Sequence, residues 1–578
     1  MTTIDPKFKP TTNGMHFLSI ITLISILTTP IIMSTYPDTR FRYIHSTKAH
    51  QQRISEVLRR NFKTKQTTKT NLRVKDILLR KPPNPFHLSV EYDYSLLHNY
   101  KDKMNKEALS YLQTIVFPKL ARYIKYAFKV RHPTPITSLR ANFGDSVQCY
   151  KKAKFSTRFL EHFKGGLGLL ITFEGGKEDD FLAWSLPCSL DDISFRPVLG
   201  QLNVNPEFIS LESFNNIFGT FLHEIFHILG FSPSLFDYFI DSEMSLIDQS
   251  SLFEFSKDKE ERVIGIKSPR MLQAARKHFG CQRLKYLPLE NEGGKGSKGS
   301  HWERAYMMND IMTASFIINS RVSAITLSLF EDSGWYEVDH TFDEFFSYQQ
   351  GDGCSVFDPW LLEPLAPSET EPENLDFSRD NSCEYHRQIG CFYDYTHQAK
   401  CFHDFFEQTQ PESPNSTETP SPQSDTKSAS LGQDLRYFAS EEDSCVNSNL
   451  IQKRPQLFGE IYDDTSRCFK GELNRIQPLE EGVLKGIQVK STGSFCFQAK
   501  CAVWDLEDKR TAVVLFFIQG EEYLCEPGMV MKLVRQESLV GKIYCPDISK
   551  FCKHSPKCGS NCSEEGRCLA NGRCYKFY

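Results

Sequence analysis

Cysteine is absent from this 578-residue sequence before Cys149, although the chain contains 18 cysteines. The sequence also lacks any CxxC motif, the spacing from which many structural zinc sites are built. The cysteines are concentrated towards the carboxyl end, between Cys445 and Cys574. An even number in this distribution is typical of disulfides formed in an oxidising compartment, and the spacing leaves their pairing open.

A large excess of charge is also missing, since the formal net charge is −4 and gives no indication of a nucleic-acid partner. The charge is unevenly placed, however. Residues 36–85 contain thirteen Lys or Arg against three Asp or Glu, while the rest of the chain is acidic. A basic segment in front of an acidic body suggests a removable pro-segment that docks on the rest of the chain, so we predict a propeptide over 36–85. A disordered basic tail is the alternative.

No apolar run is long enough to be a convincing membrane span. The run over 17–33 is interrupted by Thr28, Thr29 and Pro30, and its first part has the length of a signal-peptide core. We predict a signal peptide over 1–35, with Met15 as an alternative start, and hence a secreted or cell-surface protein. An uncleaved anchor is the alternative.

Periodic apolar patterns in the body of the chain predict a mixture of helices and strands, and so an α+β fold. The pattern predicts strands at 86–94, 167–173 and 199–205 and helices at 104–128, 213–230 and 269–279. Ser213 is a suitable amino-terminal cap for the second helix, and Gly230 is suited to end it. The run 409–432 is low in complexity, contains the glycosylation acceptor Asn415, and is predicted to be a disordered loop.

The second predicted helix carries the sequence His223-Glu224-Ile225-Phe226-His227. Residues four apart share a helical face, so both imidazoles can reach one metal ion. Glu224 projects about 100° from His223 and can accept a proton from a water bound to that metal. The pattern predicts two zinc ligands and one general base, whereas two surface histidines with this spacing would be the chance alternative.

A catalytic zinc normally has three protein ligands. Position 233 is Pro233, which excludes a third histidine six residues after His227, and no suitable motif surrounds Glu243 or Glu254. Two histidines remain, His278 and His301. We favour His301, because Met312 follows eleven residues later and could form a methionine turn below the metal.

These motifs resemble the leishmanolysin family of zinc metallopeptidases, which belong to the metzincins. The similarity extends from about residue 86 to 570. The segments that carry it are His223–Phe231, Gly299-Ser-His-Trp-Glu303, the Met312 turn, Arg196–Asn205, Ala275–Cys281, Asp332-Ser-Gly-Trp335 and Ser466-Arg-Cys-Phe469.

The resemblance implies that His223, His227 and His301 bind one catalytic Zn²⁺, that Glu224 is the general base and that Met312 forms the turn. It implies a secreted or surface endopeptidase that acts on proteins or peptides by attack of zinc-bound water, with membrane association and roles in adhesion in many members. The expected architecture is an N-terminal catalytic subdomain (86–232), an insertion with the third histidine and the Met-turn (233–345), a cysteine-rich domain (346–545) and a partial EGF-like module (546–578).

The sequence departs from the family in its leader. Family propeptides commonly contain a cysteine that caps the zinc, and Tyr43 stands where that cysteine is expected. We therefore expect latency to depend on His45 or on steric occlusion. The alternative function, from another class, is a catalytically weak surface adhesion protein of the same fold.

Overall fold

The structure is a computed structural model that describes most of the chain between residues 48 and 576. The described residues are 48–61, 75–76, 78–80, 84–100, 105–143, 146–176, 179, 181–209, 214–257, 263–290, 299–314, 319–364, 388–403, 435–439, 443–448, 458–477, 487–506, 509–526, 528–535, 539–553 and 566–576. The predicted signal peptide, Tyr43, His45, Ser213 and the loop 409–432 with Asn415 lie outside them.

The helices of the described residues are concentrated in the amino-terminal two thirds. They are α1 (Lys48–Asn61), α2 (Lys106–Tyr111), α3 (Phe117–Ala127), α4 (Ile136–Phe143), α5 (Thr157–His162), α6 (Phe214–Leu229), α7 (Pro233–Phe236), α8 (Gln249–Leu252), α9 (Pro269–Phe279), α10 (Arg304–Met307), α11 (Ala324–Asp332) and α12 (Ile548–Lys553).

The strands form several separate sheets. They are β1 (Phe86–His87), β2 (Val90–Asp93), β3 (Phe128–Val130), β4 (Leu167–Thr172), β5 (Ala183–Leu190), β6 (Pro197–Val204), β7 (Phe253–Phe255), β8 (Val263–Ile266), β9 (Leu287–Pro288), β10 (Tyr336–Val338), β11 (Ile389–Cys391), β12 (Gln398–His403), β13 (Leu435–Phe438), β14 (Ser466–Gln477), β15 (Ile487–Leu506), β16 (Lys509–Ile518), β17 (Glu521–Cys525), β18 (Val530–Arg535), β19 (Leu539–Tyr544), β20 (Gly566–Cys568) and β21 (Cys574–Lys576). The mixture of helices and strands confirms the predicted α+β class.

A four-stranded sheet with the order β2-β4-β6-β5 supports the histidine helix. Strands β2, β4 and β6 are parallel, and β5 runs antiparallel to β6 at the sheet edge. Every residue of β4, β5 and β6 is buried, which suits strands covered on both faces. Helix α6 packs on β5 and β6, so the sheet fixes the position of the HExxH motif.

The strand predicted at 86–94 was wrong as a single element, because the chain changes sheets in its middle. Strand β1 pairs with β3, whereas β2 pairs with β4. Between them the Leu88 N–H donates to the Phe128 carbonyl at 2.9 Å, and the Ser89 carbonyl accepts from the Leu167 N–H at 2.8 Å. The apolar alternation over 86–94 suggests one strand, but pairing with two distant strands divides this segment into two.

The other patterns agree with the structure. The helix predicted at 104–128 forms as α2 and α3, joined by one π-helical segment (Leu112–Val116). The helix predicted at 269–279 is α9, and Gly280 ends it in the left-handed conformation with φ 73°. The helix predicted at 213–230 is α6, and Gly230, with φ 151°, follows its last residue.

The carboxyl-terminal part is built on an antiparallel sheet with the order β17-β16-β15-β14-β19-β18. Phenylalanines fill its core, and Ile548 and Phe551 of α12 complete it. Disulfides link the described residues at Cys149–Cys188, Cys281–Cys354, Cys391–Cys468, Cys445–Cys496, Cys501–Cys552 and Cys525–Cys545. The prediction of disulfide bonds is confirmed, and no described cysteine is free.

Two terminal segments pack on the central region. The apolar residues Ile54, Val57 and Leu58 of α1 are buried in the same core as α6, and α1 lies against β5 and α7. Towards the carboxyl end, the hairpin β20–β21 contacts residues 343–345, where the Phe345 N–H donates to the Cys568 carbonyl at 3.0 Å. Of the helices described, none has the length and apolar character that crossing a bilayer requires.

Candidate metal centre

Helix α6 is positioned by a fully buried apolar surface. Phe218, Leu222, Ile225 and Leu229 have no exposed area, and the helix continues for sixteen residues from Phe214. The Ser185 hydroxyl of β5 also donates to the Glu224 backbone carbonyl at 2.6 Å. These contacts fix the rotation of the helix and so the direction of its two histidines.

His301 reaches the same point from a distant part of the chain. Its own carbonyl accepts from the Glu290 N–H at 2.9 Å, and the N–H of the next residue, Trp302, donates to the Met312 carbonyl at 2.9 Å. His301 therefore lies on a short extended segment between β9 and the turn that contains Met312.

The three histidine side chains converge through their Nε2 atoms. The Nε2–Nε2 distance is 2.9 Å from His223 to His227, 3.2 Å from His227 to His301 and 3.3 Å from His301 to His223. Nitrogen ligands about 2.0–2.1 Å from a tetrahedral zinc lie roughly 3.3 Å from one another. The triangle thus has nearly the dimensions of a zinc site.

The Nδ1 atoms of two histidines face backbone carbonyl oxygens. His223 Nδ1 lies 2.5 Å from the Ile311 oxygen, and His227 Nδ1 lies 2.6 Å from the Phe231 oxygen. A carbonyl only accepts, so both Nδ1 atoms carry the proton and both Nε2 atoms present a lone pair. Two lone pairs 2.9 Å apart repel each other unless a cation lies between them. The donor set therefore fits a metal ion.

Burial keeps the imidazoles of His223 and His301 neutral. It lowers the pKa of His223 to about 3, with the Ile311 carbonyl opposing the shift, and it lowers the pKa of His301 well below its usual value. The neighbouring histidines add to the shift at His301. A metal ligand must be the neutral imidazole, so the environment favours the ligand form.

Glu224 is buried beside the triangle. Neither of its carboxylate oxygens has a hydrogen-bond partner of good geometry among the described residues. Burial raises the pKa of Glu224 to about 8, and nearby Ser185 opposes part of that rise. A buried carboxylate with so little hydrogen bonding is costly, and such costs are common at functional sites.

The other candidate residues lie elsewhere. His278 Nε2 is 2.9 Å from the Tyr348 carbonyl, and its ring stacks on Phe346. Glu254 forms an ion pair with Lys267 at 3.0 Å, and Glu243 is on the surface. Among the described residues, only His223, His227 and His301 form a group of this kind with ligand atoms within 4.8 Å of one another.

Several groups that shape the site have no clear signal in the sequence. The acceptors for His223 and His227 are the backbone carbonyls of Ile311 and Phe231, which any residue could supply. Met312 is buried in the turn after α10, and its N–H donates to the Asp310 carboxylate at 2.8 Å. Asp310 could have been noticed only as an acidic residue two positions before the expected methionine.

Three converging histidines, two of them four residues apart on a helix with a glutamate between them, define a site of the HExxH metal-binding class. The family model for leishmanolysin matches residues 169–558, more than half of the chain. The protein therefore belongs to the leishmanolysin family of metallopeptidases, which confirms the resemblance seen in its motifs.

Curated relatives from animals show the same similarity. A leishmanolysin-like peptidase of Drosophila pseudoobscura pseudoobscura is 30% identical over 205 residues, which cover 30% of each chain. A leishmanolysin-like peptidase of Caenorhabditis elegans is 25% identical over 47% of this chain and 51% of its own. The ciliated left-right organizer metallopeptidase of Mus musculus is 32% identical over 31% of this chain and 26% of its own. The chain thus spans about half or less of these relatives.

Proposed function

We propose that this protein is a zinc metalloendopeptidase that hydrolyses peptide bonds in proteins. The observation that carries the proposal is the convergence of three buried Nε2 atoms beside a buried glutamate. Family membership supports it, since a leishmanolysin-type peptidase requires a metal, typically zinc.

Each residue has a distinct role in this proposal. His223, His227 and His301 hold the zinc, and the backbone carbonyls at Nδ1 keep the rings of His223 and His227 oriented. A zinc ion held there would supply Lewis acidity towards a substrate carbonyl and a water molecule. Glu224, buried between the two helical histidines, takes up the proton of the attacking water and passes it to the leaving amine. Met312 lies in the turn that supports His223.

The test of the function is a zinc measurement combined with proteolysis by Glu224→Gln. We expect one zinc per chain in both proteins and a loss of cleavage of an unfolded protein substrate by about 100-fold or more in the variant. His278→Ala is the matched control and should retain both properties. Full cleavage by Glu224→Gln would contradict the proposed base. Zinc binding without cleavage of any substrate by the wild type would favour the adhesion protein.

We also propose that residues 36–85 act as a pro-segment that blocks the site sterically. The side chains of His223, Glu224, His227 and His301 have no exposed area, so a protein substrate has no access to them in this conformation. Helix α1 covers β5, the strand whose Ser185 contacts the Glu224 backbone. This arrangement supports a zymogen in which α1 takes over the function of the missing cysteine.

Further contacts strengthen the attachment of this segment. The Arg53 guanidinium lies 4.6 Å from the centre of the Tyr150 ring, and that ring packs edge-on against Trp184 of β5 at 5.8 Å. Lys75 Nζ donates to the Met244 carbonyl at 2.9 Å. The segment thus makes contacts both within α1 and after it, which favours the pro-segment over a disordered tail.

The proposal also includes the cellular location of the protein and the architecture around its metal site. Disulfides in the described regions suit an oxidising compartment, which supports secretion or display on the cell surface and protein or peptide substrates outside the cell. The metzincin-type architecture is supported by His301 and Met312, which both lie on the segment 233–345 proposed as the insertion.

A further inference from the structure

We propose that Asp310 is a positioning residue that holds two of the three histidines in the geometry needed for zinc. This inference rests on the proposed function and concerns how the zinc ligands are held in place. Asp310 touches neither the histidines nor the reacting atoms, and it acts through the turn 309–313.

Four groups donate to the buried Asp310 carboxylate. Oδ1 accepts from the Met312 N–H and the Thr326 hydroxyl, both at 2.8 Å. Oδ2 accepts from the Ser323 hydroxyl, from the Ser323 N–H at 3.4 Å and from the Thr326 hydroxyl at 2.8 Å. The side chain thus connects the turn to the first residues of α11. Only a charged carboxylate can accept all of these bonds at once.

The turn 309–313 first determines the orientation of the His223 ring. The residue between Asp310 and Met312 is Ile311, whose carbonyl oxygen lies 2.5 Å from His223 Nδ1. The direction of that carbonyl depends on the peptide planes that the Asp310–Met312 bond fixes. A rotated Ile311 carbonyl would leave the His223 ring without the acceptor that sets its tautomer.

The turn also determines the position of His301. The Trp302 N–H donates to the Met312 carbonyl at 2.9 Å, and the Trp302 indole N–H donates to the Thr326 hydroxyl at 2.8 Å. The Thr326 hydroxyl therefore accepts from Trp302 while it donates to Asp310. Two hydrogen-bonded paths lead from one carboxylate to the residue next to His301, whereas His227 is oriented independently by Phe231.

The test compares Asp310→Asn with Asp93→Asn in the full chain. Asp93 is also buried and accepts from the Ser156 N–H at 2.7 Å and the Ser95 N–H at 2.9 Å, but it lies on β2, at the sheet edge opposite β5. Both variants should lower the free energy of unfolding. Only Asp310→Asn should weaken zinc binding, by about 10–100-fold in a chelator competition, and alter the visible spectrum of the cobalt-substituted protein.

A second variant keeps the test decisive if Asp310→Asn fails to fold. Thr326→Val leaves the carboxylate in place but removes its link to the Trp302 indole, and it should weaken zinc binding in the same direction. Unchanged zinc affinity in the folded Asp310 and Thr326 variants, or an equal loss in Asp93→Asn, would overturn the positioning role. A wild-type protein that binds no zinc would instead overturn the proposed function on which this role depends.

Discussion

At the scale of single residues, the charge of His340 depends on two neighbouring carboxylates. Its Nδ1 lies 2.9 Å from Asp343 Oδ1 and its Nε2 lies 3.3 Å from Glu331 Oε2. These two carboxylates raise the pKa of His340 to about 10, with the Asp343 hydrogen bond as the largest cause, although burial opposes them.

This raised pKa predicts a pH-dependent contribution to stability. The folded-state value lies above the unfolded value of about 6.5, so the stabilisation is complete below about pH 6.5 and is lost as the pH rises towards 10. We expect His340→Gln to destabilise the protein at pH 6 by no more than about 1 kcal/mol, since the ring is partly exposed to solvent, and by almost nothing at pH 10. Urea unfolding at pH 6, 8 and 10 measures the difference.

His162→Gln is the matched control for this measurement. The His162 Nδ1 lies 2.8 Å from the Arg158 backbone carbonyl. Its substitution should give a difference in unfolding free energy that does not decrease between pH 6 and 10. A His340→Gln effect that grows with pH would contradict the assigned charge pair.

At the scale of elements, α1 carries the strongest prediction. Ile54 and Leu58 are buried against the core, whereas Gln52 on the same helix is exposed. Ile54→Asp with Leu58→Asp should detach α1 from β5, because buried carboxylates without partners are costly. We expect proteolysis by the uncleaved chain to rise at least tenfold, measured with a quenched fluorescent protein substrate.

Gln52→Asp is the control for the detached helix and should leave the basal rate unchanged. A thermal unfolding curve of each variant verifies that the remainder stays folded. A rate that does not rise in the folded double variant would contradict occlusion by α1. Full activity of the wild-type chain before any cleavage would contradict it as well.

The elements also show how far the sequence could predict the structure. Helices α6 and α9 follow from their apolar spacing, and Gly280 marks the end of α9 because it adopts a positive φ. The strand at 86–94 was mispredicted because its partners, β3 and β4, belong to two different sheets. The boundaries of such strands depend on which distant segments they pair with. The local apolar periodicity carries no information about that pairing.

The metal centre was predictable only in part for a similar reason. Side-chain identity and spacing indicated His223, Glu224 and His227, and a motif indicated His301. The groups that orient the rings are backbone carbonyls placed by the fold. Gly230 illustrates this, because with its φ of 151° the chain turns so that the Phe231 carbonyl faces His227. A Cβ atom at position 230 would lie 3.2 Å from the Trp335 ring, which disfavours a larger residue there.

At the scale of the whole molecule, a buried ion pair joins the hairpin β20–β21 to the region of the metal site. Arg567 donates to both Glu344 carboxylate oxygens, one of them at 2.7 Å, and to the Ser320 carbonyl at 2.7 Å. Its guanidinium also lies 5.7 Å from the centre of the Phe218 ring of α6. The hairpin therefore packs on the region that carries the metal centre.

Arg567→Ala should consequently destabilise the protein strongly. The substitution removes the guanidinium that donates to the buried Glu344 carboxylate, and breaking a buried ion pair typically costs about 3–5 kcal/mol. Chemical unfolding measures this loss, with Lys500→Ala as the control. Lys500 and Glu522 form an exposed pair at 3.9 Å, whose loss should cost less than about 1 kcal/mol. Equal effects of the two substitutions would contradict a structural role for the hairpin.

The distance along the chain between Glu344 and Arg567 has a consequence for biosynthesis. The two residues are 223 positions apart. A ribosome that adds roughly 5–20 residues per second needs about 10–45 s to make the intervening segment. During that interval the Glu344 carboxylate lacks its Arg567 partner, and Phe218 of α6 lacks the contact with the Arg567 guanidinium. The packing around α6 is thus completed only after the ribosome has passed β20.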